Sequence, residues 1–112
     1  MKVTITSIEL KSPFHFFALS RQAMQIIRQL RATEYKAFKK QGIWTTHYTM
    51  TLWENEAQLR AFATSGAHLA AMRRSGDIAR AIKTVTIDAD VLPSWRAAKR
   101  ILKEVEPLIY AK

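Results

Sequence analysis

The order of two hydrophobic periodicities constrains the fold of this chain more than any other feature. Side chains alternate with the period of strands over residues 3–10, 34–40, 43–53 and 79–89, and they follow helical spacing over 13–32 and 55–64. This order of strand, helix, strand, strand, helix and strand is that of the split βαβ arrangement. In that arrangement a four-stranded antiparallel sheet carries both helices on one face. The sequence therefore predicts an α+β domain of the ferredoxin-like class.

Cap and turn residues set the boundaries of these elements. Ser12-Pro13 predicts the start of the first helix, and Asn55 predicts the start of the second. Gln41-Gly42 predicts the turn between the second and third strands. Two further helices, one short and one C-terminal, are predicted over 67–74 and 94–104.

The first strand carries apolar side chains on both faces. Val3 and Ile5 lie on one face, whereas Ile8 and Leu10 lie on the other. Both faces of the sheet should therefore be covered, one of them by the helices. We expect the helix-free face to meet the same face of a second chain, which predicts a homodimer.

Length and composition limit the class of protein. With 112 residues the chain is expected to form a single domain over 1–112. The absence of cysteine excludes disulfides, a thiol nucleophile and thiolate-held metals, and it suits a cytoplasmic location. No segment approaches the roughly 20 apolar residues of a membrane span, and the first residues lack the apolar run of a secretory signal.

The formal net charge of +9 would suit an anionic partner, but the basic side chains are spread along the chain. They form three separate clusters, on the hairpin, after the second helix and on the last helix: Lys36, Lys39 and Lys40; Arg73 and Arg74; Arg96, Lys99, Arg100 and Lys103. Aromatic side chains are not interleaved among them, and no nucleic-acid-binding motif is present. We expect no specific nucleic-acid partner, only weak contact that ignores sequence.

One motif carries a resemblance. The segment Leu52-Trp53-Glu54-Asn55-Glu56 is followed by Leu59, by Ala61-Phe62-Ala63 and by Ser65-Gly66-Ala67-His68. It resembles the strand-to-helix signature of the dimeric α/β-barrel superfamily of antibiotic-biosynthesis-monooxygenase-like proteins, nearest to the spheroidene-monooxygenase-like branch. The resemblance implies a homodimeric barrel with a pocket between sheet and helices in each subunit. Members include cofactor-free oxygenases, heme-degrading and heme-binding oxygenases and proteins of unassigned function, so the fold does not decide the reaction.

The resemblance also assigns candidate site residues. Phe62 and Met72 occupy the positions at which heme-degrading relatives carry a tryptophan and a heme-ligating histidine, and strand one lacks their asparagine. His68 matches the histidine of the Gly-x-His run, one helical turn before Met72. His68 is thus the candidate catalytic residue, and with Met72 it is the candidate cofactor contact, with heme as a possible cofactor. The alternative is a capping or packing role for His68 after the helix break.

Four more side chains are candidates for lining the substrate pocket: His15, His47, Trp53 and Phe62. Each also has a structural reading, because a tryptophan at a strand end or a histidine at a helix start often packs in the core. The sequence does not decide which face of the sheet His47 occupies, because that depends on which face the helices cover. No two histidines lie four residues apart and no acidic cluster joins them, so we expect no metal ion held by side chains alone.

Two functions follow from these residues. The first is a monooxygenase-like enzyme that acts on an apolar or aromatic small molecule, with histidine as the acid or base. The second is a non-catalytic module that binds a small molecule in the same pocket, which the missing heme-degrader residues favour.

Overall fold

A computed structural model of the chain describes residues 1–64, 66–73 and 75–109. Ser65 of the expected helix break and Arg74 of the expected basic cluster therefore lie outside the described residues. The strands within these ranges are β1 (Lys2–Leu10), β2 (Ala37–Ile43), β3 (Thr46–Trp53), β4 (Ala79–Asp88) and β5 (Leu108–Ile109). The helices are α1 (Phe16–Arg31), α2 (Glu56–Ala63), α3 (Gly66–Arg73), α4 (Ser75–Ile78) and α5 (Trp95–Lys103), and a 3₁₀ turn over Pro13–His15 precedes α1.

The strands form one sheet in the order β2-β3-β1-β4-β5, and all neighbours are antiparallel. The first four strands have the predicted ferredoxin-like arrangement, and the predicted C-terminal helix is present as α5. The two-residue strand β5, which pairs Ile109 with Ala81 at the edge, was not predicted. The fold class is therefore confirmed, and the strand β5 and the short helix α4 are additions to the predicted elements.

The predicted turn at Gln41-Gly42 is wrong. Strand β2 continues to Ile43, which pairs with Thr46, so the hairpin turns at Trp44-Thr45. Trp44 adopts the left-handed conformation with φ of 55°, which a two-residue hairpin loop needs and which a sequence rule assigns to glycine or asparagine. Gly42 lies in the strand instead. The imidazole of His47 crosses its backbone so closely that a Cβ on Gly42 would lie 2.4 Å from Nδ1.

The side of the sheet that faces α1 and α2 holds one part of the core. Trp53 at the end of β3 is 1% exposed and forms a cluster with Leu30 of α1 and Phe62 of α2. Partly buried apolar side chains surround this cluster: Ile26, Tyr35, Phe38 and Leu59. Because alternate residues of β3 point to opposite faces, His47, Thr49 and Thr51 share this side with Trp53.

The opposite side of the sheet is not free of helices, which corrects the sequence expectation. Four apolar side chains of β1 and β3 are buried there under α5: Val3, Ile5, Met50 and Leu52. Ser94 caps this helix, since its Oγ accepts a hydrogen bond from Ala97 N at 3.2 Å. The helix buries Ala98 and Leu102 against the strands. Periodicity showed an amphipathic helix here but not the surface that it covers. The bare face expected to form a homodimer is therefore occupied by the chain's own last helix.

Candidate functional site

Three aromatic rings meet where β3 ends. The ring of Phe62 lies 5.3 Å from that of Trp53 and 5.1 Å from the imidazole of His68, measured between centroids. Local sequence explains this placement. Asn55 Oδ1 accepts a hydrogen bond from Gln58 N at 2.9 Å, so α2 begins directly after β3 and carries Phe62 back over Trp53.

The side chain of Gln29 joins α1 to the next two helices. Its Oε1 accepts a hydrogen bond from His68 N at 2.8 Å, and its Nε2 donates to Phe62 O at 3.2 Å. The amide lies so close to Gly66 that a Cβ there would be 3.0 Å from Gln29 Cδ. Sequence reasoning missed Gln29, although the glycine of the Gly-x-His run was a signal that another group approaches its backbone.

The surroundings of His68 favour the neutral form of its imidazole. Burial lowers its pKa, and this outweighs the opposing effect of its hydrogen bond to the backbone of Ala63. A carbonyl oxygen only accepts, so Nδ1 donates to Ala63 O at 3.1 Å and Nε2 carries the lone pair. The imidazole therefore has one nitrogen that can accept a proton or bind a ligand.

A pocket of about 440 Å³ opens between the end of β3 and the helices α1 and α2. It is lined by Gln29, Ala32, Thr33, Glu34, Trp53, Gln58, Ala61 and Phe62. Two of the predicted pocket residues, Trp53 and Phe62, are thus in its lining. His68 does not line it, although it contacts two residues that do: Phe62 through its ring and Gln29 through its backbone nitrogen. Met72, on the same helix as His68, is 54% exposed and does not line it either.

Two buried polar atoms of this lining have no hydrogen-bond partner among the described residues. They are the indole nitrogen Nε1 of Trp53, a donor, and Oε1 of Gln58, an acceptor. Buried polar groups are almost always paired in folded proteins, so unpaired ones usually mark a place for water or a ligand. Both atoms belong to side chains that line the pocket, Trp53 and Gln58.

The structure places His15 and His47 at the other end of the sheet. His47 Nε2 donates to Trp44 O at 3.1 Å, and the imidazole lies 5.6 Å from the ring of Phe16. His15 shares a 2.8 Å hydrogen bond with Ser12 Oγ. Six strand positions separate His47 from Trp53, which is about 20 Å. Neither histidine lines the pocket at Trp53.

Six threonines lie between these two ends of the sheet, and they were not predicted as a group. The register places Thr4 and Thr6 of β1 beside four threonines of the neighbouring strands: Thr49, Thr51, Thr84 and Thr86. Hydroxyls pair across β1 and β4 at 3.3 Å and 3.4 Å. None of the six is buried, so the sheet presents an accessible block of hydroxyl and methyl groups beside His47 and Trp53.

The predicted cofactor contact of His68 and Met72 is not part of either pocket, the one at Trp53 or a second one beside α5. The described residues contain no group of three side chains able to hold a metal ion. A heme would need space against His68, but His68 and Met72 line neither of these pockets. No chemical step is therefore assigned to heme. No helix in the described ranges has the length and apolarity needed to cross a membrane.

Known proteins were compared with this chain by sequence and by structure. No family model matches the sequence, and no curated protein matches it. A crystal structure of an antibiotic biosynthesis monooxygenase is 14% identical with a TM-score of 0.71, over 83% of this chain and 100% of that one. A Deinococcus radiodurans protein provisionally assigned as an antibiotic biosynthesis monooxygenase is 11% identical with a TM-score of 0.72, over 84% and 97%.

A protein of unknown function from Nitrosomonas europaea is similar too, at 18% identity and a TM-score of 0.65, over 83% of this chain and 94% of that one. At such identities a structural likeness shows a common architecture and not a common reaction. These likenesses confirm the fold that the resemblance implied and do not address the spheroidene-monooxygenase-like branch: the chain has the fold of a solved antibiotic biosynthesis monooxygenase.

Proposed function

We propose that this chain binds a small aromatic molecule bearing a hydroxyl or carbonyl group in the pocket at Trp53. The unpaired Nε1 of Trp53 and Oε1 of Gln58 carry the proposal. A phenol or enol can accept from the indole and donate to the amide oxygen, whereas a pure hydrocarbon leaves both atoms unpaired.

The walls of the pocket support the same class of ligand. Trp53 and Phe62 offer aromatic surface, and Ala32 and Ala61 leave room beside it. The volume of about 440 Å³ lies within the range of roughly 300–1,000 Å³ that is usual for small-molecule sites. Apolar walls with a few polar atoms are the common design of such sites.

Ligand binding is better supported than catalysis, because the one neutral imidazole near the pocket touches Phe62 rather than the pocket itself. The second candidate is a monooxygenase-like enzyme, in which His68 Nε2 takes a proton from the bound hydroxyl after Phe62 turns aside. The lone pair on Nε2 favours this version, as does the name carried by the structural relatives. His68→Ala separates the two, since it should abolish turnover of a substrate while leaving its affinity intact.

Binding is tested with 2-naphthol, followed by its fluorescence or by calorimetry. Ala61→Phe fills the pocket from α2, whereas Ala57→Phe adds the same ring at an exposed position of α2 outside the lining. The first variant should lose binding and the second should keep it. Equal affinities in both variants would rule out this pocket. Naphthalene should bind more weakly than 2-naphthol if the two polar atoms contribute.

Heme is tested separately. Hemin is added to the wild type and to His68→Ala, and the Soret band is recorded. We expect no band that depends on His68, because its imidazole lines neither of the two pockets. A shifted Soret band that His68→Ala removes would instead establish heme as the ligand and overturn the preference for a naphthol-sized molecule.

A further inference from the structure

A second pocket lies on the other face of the sheet, under the C-terminal part of α5. Its volume is about 400 Å³. It is lined by Ser7, Glu9, Thr46, Tyr48, Ala81, Lys83, Lys99, Leu102, Lys103 and Pro107. Three lysines thus converge on one concave surface from β4 and α5.

The contacts of Lys83 and Lys99 are with neutral groups. Lys83 Nζ donates to Leu102 O at 3.3 Å, and Lys99 Nζ lies 4.9 Å from the centre of the Tyr48 ring. In the part of the chain that the structure describes, none of the three lysines forms an ion pair with a carboxylate. An ammonium group has three donors, so Lys83 and Lys99 keep protons for another partner.

Glu9 is the one carboxylate in the lining, and it is already hydrogen-bonded. Its two oxygens accept from the hydroxyls of Thr45 and Thr46. Three ammonium groups and one carboxylate leave the lining with an excess of two positive charges. Like charges held around one cavity repel one another, and an anion in that cavity would relieve the repulsion.

We propose that this pocket binds a small organic dianion, of the phosphate monoester class, whose apolar group lies against Leu102 and Tyr48. A phosphate monoester carries close to two negative charges at neutral pH, which matches the excess. Its oxygens accept hydrogen bonds from lysines and from the hydroxyls of Ser7 and Tyr48. This site lies on the opposite face of the sheet from the pocket at Trp53 and does not depend on the function proposed there.

Phenyl phosphate is the probe, titrated by calorimetry at about 50 mM salt, where screening of charges is moderate. Lys99→Met and Lys103→Met should each weaken binding by about tenfold, the usual effect of losing one charge-assisted hydrogen bond. Lys40→Met is the matched control, because it removes the same charge from an exposed position of β2 outside the lining. It should bind as the wild type does.

Two further probes locate the interactions. Inorganic phosphate should bind more weakly than phenyl phosphate, and benzyl alcohol should not bind. Lys103 is exposed, so its variant should fold even if Lys99→Met does not, and circular dichroism checks both. An equal loss in Lys40→Met and Lys103→Met would show general charge attraction and overturn the site. Ala61→Phe should leave phenyl phosphate binding unchanged, which separates this result from that for 2-naphthol.

Discussion

Gly66→Ala should destabilise the protein through both the backbone and the amide of Gln29. Gly66 has φ of 58°, and placing an alanine in this left-handed conformation costs roughly 1–2 kcal/mol. The new Cβ would also lie 3.0 Å from Gln29 Cδ and push the amide away. A shift of a few tenths of an ångström would relieve this contact and weaken the bonds to Phe62 O and His68 N, which are worth about 1 kcal/mol each. The expected loss in free energy of unfolding is therefore about 1–2 kcal/mol from the backbone and up to about 2 kcal/mol more from these bonds.

A double-mutant cycle tests whether the contact with Gln29 contributes to this loss of stability. Gln29→Ala alone should lower the free energy of unfolding by about 2 kcal/mol, since it leaves Phe62 O and His68 N without their hydrogen-bond partner. Gly66→Ala added to Gln29→Ala should then cost only the backbone part of the free energy of unfolding, so the two changes should be non-additive by up to about 2 kcal/mol. The free energies come from urea denaturation followed by circular dichroism. Additivity to within about 0.5 kcal/mol would refute the proposed contact.

Other expectations are simpler to test. Because the pKa of His68 is lowered in the fold, the unfolded chain takes up the proton more readily than the folded one. The free energy of unfolding should therefore be highest above pH 6.5 and should fall as the pH drops below it. His68→Gln should flatten this slope in urea titrations at several pH values. Asn55→Ala should cost about 1 kcal/mol in the same assay by removing the cap of α2. A homodimer remains a prediction, with exposed Phe14, Phe17 and Trp44 as available apolar surface; light scattering should give about twice 12.9 kDa. DNA binding should be weak and should fall steeply between about 50 and 200 mM salt.

The sequence predicted the order of the elements because periodicity is a local property of the chain. It misplaced one hairpin turn because Trp44 adopts a backbone conformation that its residue type rarely takes. It could not say that α5 covers Val3 and Ile5, since an amphipathic helix does not specify its partner.

The sequence also predicted some residues of the candidate site and missed others. Trp53 and Phe62 lie in one motif, and a short capped connection brings them together, so local sequence was sufficient. The contacts of Gln29 and the grouping of the six threonines depend on which segments meet in three dimensions. Local sequence therefore did not predict them. From sequence, Lys99 and Lys103 belong to the basic cluster on the last helix. Lys83 could not be added to them, because this strand residue is distant from α5 in sequence.

The packing of α5 over the sheet has a consequence for synthesis on the ribosome. The strands that carry Val3, Ile5, Met50 and Leu52 are made first, and the helix that buries these side chains is made after β4. A nascent chain whose strands β1 and β3 have left the ribosome before α5 leaves this apolar face open to water. Such a face invites association with other chains or with chaperones. The exposed interval ends when the ribosome has released the residues of α5.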